Sequence, residues 1–380
     1  RLAWEAFMHT LINYIDINVA TALQVVLLGF IGGILSGFIG SGGAFFMTPG
    51  MMNLGVDGVI AVASNITHKF GKAMVGSRKH AAAGNVDKKL AAYMLITAVL
   101  GIQIAVAINS YLFKGGGGGH GAGGSAGADL YISLVFAFIL SAVAVSMLKD
   151  VLNSRKNGEE GAGPSMKIAD FLGRMNLPPV FKFNVADTKV SLWVLMAGGI
   201  STGYLAGTIG VGGFIGVPAM IYVFGVPTAV AAGTELFLAL FMGAYGAVSY
   251  ALHGFVDIRL TMLLYLGSLI GIHLGVYGVK VVNEKYIRMV TSVIILLCVF
   301  SRVIAIPVYL RALEVINYEA AYDSYFNMAS KFFLFASGIS GALLILMKVV
   351  QAYRQRRKIQ KTLLVVRNPD LKTFAEREAA

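Results

Sequence analysis

Apolar residues run along this chain in long blocks separated by short polar intervals, not in the alternating pattern of half-buried strands. Blocks of helical length lie at roughly 19–38, 58–83, 88–112 and 129–149, then at roughly 189–208, 227–253, 258–280 and 286–306, with one more near 331–350. Two shorter blocks, 44–54 and 213–224, follow the first long block of each set. About 20 apolar residues cross a hydrocarbon core as a helix, so the long blocks predict membrane spans. The short ones, at about 1.5 Å per residue, cannot cross and predict half-helices or re-entrant hairpins. The expected fold class is an all-α polytopic membrane protein.

The two sets match each other at one constant offset, 170 residues, over about 85 positions. Ile39-Gly40-Ser41-Gly42-Gly43 falls on Ile209-Gly210-Val211-Gly212-Gly213, and Leu54-Gly55-Val56 on Phe224-Gly225-Val226. Ala61 to Asn65 falls on Ala231 to Glu235, Gly84 and Asp87 on Gly254 and Asp257, and Gly101 on Gly271. The chain therefore reads as two homologous repeats with glycine-interrupted helices, 1–152 and 189–306. A polar linker, 153–188, joins them, with one amphipathic helix expected around Ile168 to Met175. An outer loop with an extra C-terminal membrane helix, 307–351, and a basic tail, 352–380, complete the expected organisation.

Composition narrows the class. Hydrophobic residues make up 57% and charged residues 13%, which excludes a disordered chain and disfavours a soluble enzyme. The net charge of +12 raises nucleic-acid binding, but that needs basic side chains on a water-exposed face. Here they flank the apolar blocks, as the positive-inside rule demands. Arg78, Lys79, Lys88 and Lys89, the seven basic residues from Lys149 to Lys189, Lys280 with Lys285 and Arg288, and the Arg354 to Lys361 cluster mark the cytoplasmic side. The nearly neutral stretches 114–128, 254–259 and 302–331 belong outside. These loops alternate consistently only if the repeats are inverted; a parallel arrangement stays open if the last segment does not cross. Cys298 is the only cysteine, so neither a disulfide nor a cysteine metal site can form. No cleavable signal peptide is expected, and no cofactor or metal motif is present: His120 alone in the glycine-rich 115–124 loop is too little for a metal.

Candidate chemistry gathers where the helices break. Gly40, Ser41, Gly42 and Gly43, and again Gly210, Gly212 and Gly213, would leave backbone N–H groups unpaired at half-helix N-termini, which favour an anion. Interrupted segments at corresponding positions of two halves are the best sequence pointer to a transporter's substrate site. The bland alternative is that these glycines only allow close helix packing. The segment from Val59 to Ala82 is polar for a membrane helix, carrying Ser64, Asn65, His68, Lys69 and Lys72, and intramembrane charges mark pathways. Arg78 and Lys79 read as interfacial side chains. At the offset, Thr234 stands for Ser64 and Glu235 for Asn65. A buried carboxylate must be paired or protonated, so Glu235 either pairs with Lys69 or Lys72 or carries a coupling proton; His68 and His273 are weaker titratable candidates.

At these paired glycine turns, with Ser64-Asn65 and Thr234-Glu235 downstream, the sequence resembles the sulfite exporter TauE/SafE family of permeases over roughly residues 20–110 and 190–300. The resemblance implies a multi-pass carrier of the bacterial inner membrane, not an enzyme, moving sulfite, an organosulfonate such as sulfoacetate, or a related sulfur anion. It departs from the family in the glycine loop, the long linker and the C-terminal helix with its tail. The expectation is a secondary transporter working by alternating access, driven by protons or another coupling ion. Gly42, Gly43, Gly212 and Gly213 would donate from the backbone, Ser41, Asn65 and Thr234 from side chains, with Lys69 or Lys72 balancing charge. An anion channel and a non-transporting membrane subunit are the alternatives; membrane lipid is the other expected partner, no nucleic acid is expected, and a homodimer is left open.

Overall fold

The computed structural model describes residues 15–39, 43–115, 125–156, 177–282 and 284–367. They form α1 (Val19–Ile39), α2 (Ala44–Asn53), α3 (Gly58–Ala82), α4 (Lys88–Gly115) and α5 (Ala126–Lys156). A two-stranded hairpin, β1 (Val180–Phe183) and β2 (Thr188–Ser191), precedes α6 (Leu192–Ile209) and α7 (Gly213–Pro218). Then come α8 (Thr228–Leu252), α9 (Ile258–Val281), α10 (Glu284–Ala312) and α11 (Tyr322–Arg367). Eight of these are long and apolar enough to cross a membrane. α3 is long enough too, at 25 residues, but its lysines and histidine lower its hydropathy below that of its neighbours. Leu100, Phe138, Leu266, Phe300 and Phe332 point outward, as a lipid-facing belt requires.

Most expected segments fall within a few residues of the helices. The antiparallel hairpin, pairing Phe181 with Val190 and Phe183 with Thr188, lies in the stretch expected to be a solvated linker, and Phe183 is buried there. The helix expected at Ile168 to Met175 lies outside the described residues. One further expectation needs correcting: Arg302, assigned by charge counting to an outer loop, is a buried residue of α10.

Close approach of backbones organises the bundle. A Cβ on Gly29, Gly33 or Gly37 of α1 would stand 2.5–2.6 Å from the carbonyl oxygens of Leu264, Ser268 and Ile272 respectively. The order of these contacts makes α1 and α9 parallel. On the other side of the bundle, Gly199, Gly203 and Gly207 of α6 meet Met94, Ala98 and Ile102 of α4 in the same parallel sense. Between the two seams α3 crosses α8 antiparallel, Gly76 lying against Leu236 and Ile66 against Gly246. Apolar side chains gain nothing by leaving lipid for another helix, so small residues that let helices touch supply the packing energy.

The half-helices fold back along their predecessors. Gly43 abuts Gly32 and Gly50 abuts Leu28, so α2 returns toward the end where α1 began; its ten residues are all buried. α7 continues as a π-helical turn, Ala219–Val223, and returns to the hairpin end, where the Thr188 hydroxyl donates to the Phe224 carbonyl at 2.6 Å. That end also holds Asp87, whose carboxylate accepts from the N–H groups of Val185 and Ala186 at 3.1 and 3.0 Å. At the opposite end the Gly58 N–H donates to Asp129 at 2.6 Å.

Gly203→Val drives a side chain into the backbone of Ala98 and is expected to abolish a monodisperse, folded species on size-exclusion chromatography. Gly84→Ala, at φ +73° with open space around it, is expected to cost about 1 kcal/mol, visible only as a small fall in melting temperature.

Candidate functional site

The site begins with a helix end that water cannot reach. α6 stops at Gly210, which takes a left-handed conformation (φ +77°) and returns its N–H to the Ala206 carbonyl at 3.0 Å. Three further carbonyls of the last turn remain, and an unpaired peptide group in a membrane interior is expensive. Each finds a side chain from another helix. The Tyr250 hydroxyl donates to Gly207 O at 2.7 Å, the Asn109 amide to Thr208 O at 3.4 Å, and the Thr48 hydroxyl to Ile209 O at 3.2 Å. Asn109 also donates to Tyr250 at 2.8 Å.

Thr48 links this break to the polar helix. Its oxygen accepts from Asn65 Nδ2 at 2.7 Å, and the same amide donates to Ala44 O at 3.3 Å. Asn65 thus ties α3 to the first turn of α2 and, through Thr48, to the end of α6. Its Oδ1 is buried and accepts no hydrogen bond among the described residues.

One turn along α3, Lys69 Nζ lies 3.9 Å from Glu235 Oε1 on α8. This is the outer limit of an ion pair, and neither carboxylate oxygen accepts a hydrogen bond among the described residues although Glu235 is 3% exposed. The other oxygen presses on Gly216 of α7, against which the Thr202 side chain also lies. The Thr202 hydroxyl is likewise buried without a partner. Buried polar groups are normally satisfied. Glu235, Thr202 and Asn65 are therefore three exceptions, carried by helices that converge on the interrupted segments.

The remaining polar residues of α3 face elsewhere. Lys72 donates to Ser36 on α1 at 2.7 Å, and His68 bonds Ser268 on α9 at 2.7 Å with its ring 4.6 Å from that of Tyr265. Ser64 and Thr234 serve the loops: Ser64 Oγ accepts from Asp257 N at 3.3 Å, and Thr234 Oγ1 accepts from Asp87 N at 3.0 Å. Gly212 precedes α7 and Gly43 precedes α2, with no side chain capping either N-terminus. Gly213 is the first residue of α7. Gly40, Ser41 and Gly42 lie outside the described residues. His273 is exposed on α9.

A family model described as sulfite exporter TauE/SafE matches residues 25–302, a stretch that contains every element of this site. The chain belongs to the TauE/SafE family. A relative in Bacillus subtilis (strain 168), "Probable membrane transporter protein YjnA", is 24% identical over 276 residues, covering 72% of this chain and 97% of that protein. No solved structure matches. This TauE/SafE protein is thus a multi-pass membrane transporter and not an enzyme.

Sequence reading passed over Thr48, Thr202, Asn109 and Tyr250. The available signal was polarity inside apolar blocks: each interrupts an otherwise hydrophobic helix face. Nothing in the linear pattern ties such positions to carbonyls in another helix.

Asn65→Ala removes the donor shared by Ala44 O and Thr48 and should destabilise the protein by about 1–3 kcal/mol, read as a lower melting temperature in detergent. Thr48→Ser keeps the hydroxyl and should stay close to the wild-type value.

Proposed function

We propose that this protein is a secondary carrier for a small oxyanion, a sulfur oxyanion such as sulfite or an organosulfonate, working by alternating access in the bacterial inner membrane. The observation that carries the reading is the loose Lys69–Glu235 pair beside unpartnered Thr202 and Asn65, where two interrupted helices meet. A cation held at 3.9 Å by a carboxylate without other hydrogen bonds can exchange that partner for an entering anion. Thr202 offers a hydroxyl donor and Lys69 an ammonium, both suited to oxyanion oxygens. Lys72, one turn further on the same helix, raises the local potential for anions. Glu235, released from Lys69, then takes up a proton, which couples anion movement to the proton gradient.

Inverted repeats supply the moving parts. What supports inversion is that contacts between the halves exchange partners at the 170-residue offset. Ser64 bonds the backbone of Asp257 while Thr234 bonds that of Asp87. Gly29, Gly33 and Gly37 seal α1 to α9, while Gly199, Gly203 and Gly207 seal α6 to α4. α2 returns to the end opposite the hairpin and α7 to the hairpin end, as two copies related by an axis in the membrane plane would. The hairpin end carries Arg78, Lys88, Lys89, Lys182 and Lys189, which favours its lying in the cytoplasm.

Counterflow in proteoliposomes loaded with sulfite, and tested against sulfate, thiosulfate, sulfoacetate, taurine and chloride, examines the carrier directly. Saturable exchange of a sulfur anion is expected, with Glu235→Gln flattening its pH dependence and Asn65→Ala lowering its rate without preventing membrane insertion. Conductance without counterflow would make the protein a channel. Silence for every anion, from folded and inserted protein, would overturn the assignment.

A further inference from the structure

Outside the site lies a second buried polar cluster, with a full charge at its centre. Arg302 of α10 is 1% exposed. Its Nη2 donates to Asn53 Oδ1 and, at 3.0 Å, to Ser330 Oγ on α11; its Nη1 donates to Tyr309 at 3.4 Å. Ser330 also donates to Asn53 Oδ1 at 3.0 Å, and Asn53 Nδ2 donates to Ser301 at 3.3 Å. Asn53 is the last residue of α2, so a guanidinium stands at the negative end of that half-helix. Five residues further, the N–H of Gly58, first residue of α3, donates to the carboxylate of Asp129 on α5. Asp129 is buried, also accepts from Ser125 at 3.3 Å, and complements the positive end of α3.

A buried guanidinium on α10 and a buried carboxyl group on α5 thus hold both ends of the α2–α3 turn. At the offset the second repeat does not repeat the residues of this turn: Asn53 becomes Val223 and Gly58 becomes Thr228. A buried charge costs free energy that packing alone does not demand. The asymmetry assigns it a task specific to α2, the helix that carries Thr48 and receives Asn65.

We propose that Arg302 is a positioning residue for the anion site, acting through Asn53 to hold α2 in register so that Thr48 and the Asn65 amide meet the end of α6. The consequence for transport rests on the carrier reading above; the effect on α2 does not. Hydrogen exchange in nanodiscs and sulfite counterflow, measured on Arg302→Gln, Arg302→Lys and Ser330→Ala, test the two separately. In Arg302→Gln, backbone exchange over 44–58 should quicken about tenfold while 19–39 and 258–281 stay protected. The half-saturation concentration for sulfite should rise about tenfold with the maximal rate per folded protein within about twofold. Arg302→Lys, which keeps a cationic donor, should recover most of both. Ser330→Ala leaves the charge in place and should shift both readouts in the same direction by about threefold; it decides the matter if Arg302→Gln does not fold. Unchanged exchange over 44–58, or a maximal rate that merely tracks the amount of folded protein with no rescue by lysine, would overturn the proposal. If the wild type exchanges no sulfite, the substrate reading falls while hydrogen exchange still decides the role of Arg302.

Discussion

A helix that ends inside a membrane must settle its last carbonyls without water, and the interior of this protein is arranged around that demand. Gly207, Thr208 and Ile209 expose their carbonyls because the chain turns left-handed at Gly210. Three helices each send one donor to the break: α8 through Tyr250, α4 through Asn109 and α2 through Thr48. Losing any one leaves an unpaired peptide oxygen in a low-dielectric interior. The same need makes the break a place where separate helices are coupled. A shift of α2 changes what Asn65 can bond, and a shift of α6 changes what Thr48 can bond.

The glycine seams set the limits of that movement. α1 against α9, and α6 against α4, touch backbone to backbone, and a methyl group at most of these glycines would collide with peptide atoms of the other helix. Such pairs are held together as units, since interdigitated backbones offer no soft side chains to deform. α3 and α8 lie between the seams and bring Lys69 and Glu235 together. The pair's 3.9 Å separation leaves the carboxylate with no hydrogen bond among the described residues.

The frame outside the seams is not symmetric. α10 and α11 share the Ser301–Ser330 contacts at 2.7 and 3.0 Å, and Arg311 pairs with Asp323 across the loop between them. Together they present Arg302 to α2. At the other end the Thr188 hydroxyl of the hairpin donates to the carbonyl of Phe224, just past the π-helical turn that continues α7.

Linear pattern alone determined the membrane class, the helix bounds to within a few residues for most spans, the two short segments, and that Asn65, Lys69 and Glu235 are polar positions inside apolar blocks. Hydrophobic length and glycine placement are local properties, and a charge in an apolar block is visible without any fold. The Lys69–Glu235 pair was legible as one of two options, since three-and-four spacing fixes the face of a helix but not the neighbour it meets. Only the tertiary structure decided that Lys72 turns to Ser36 and His68 to Ser268, that Ser64 and Thr234 bond loop backbones, and that Thr202 joins Glu235 at Gly216. It alone moved Arg302 from an outer loop to a buried position. The physical reason is common to these cases: a hydrogen bond or an ion pair between residues far apart in sequence depends on which helices touch and at what register, and packing of backbones sets both.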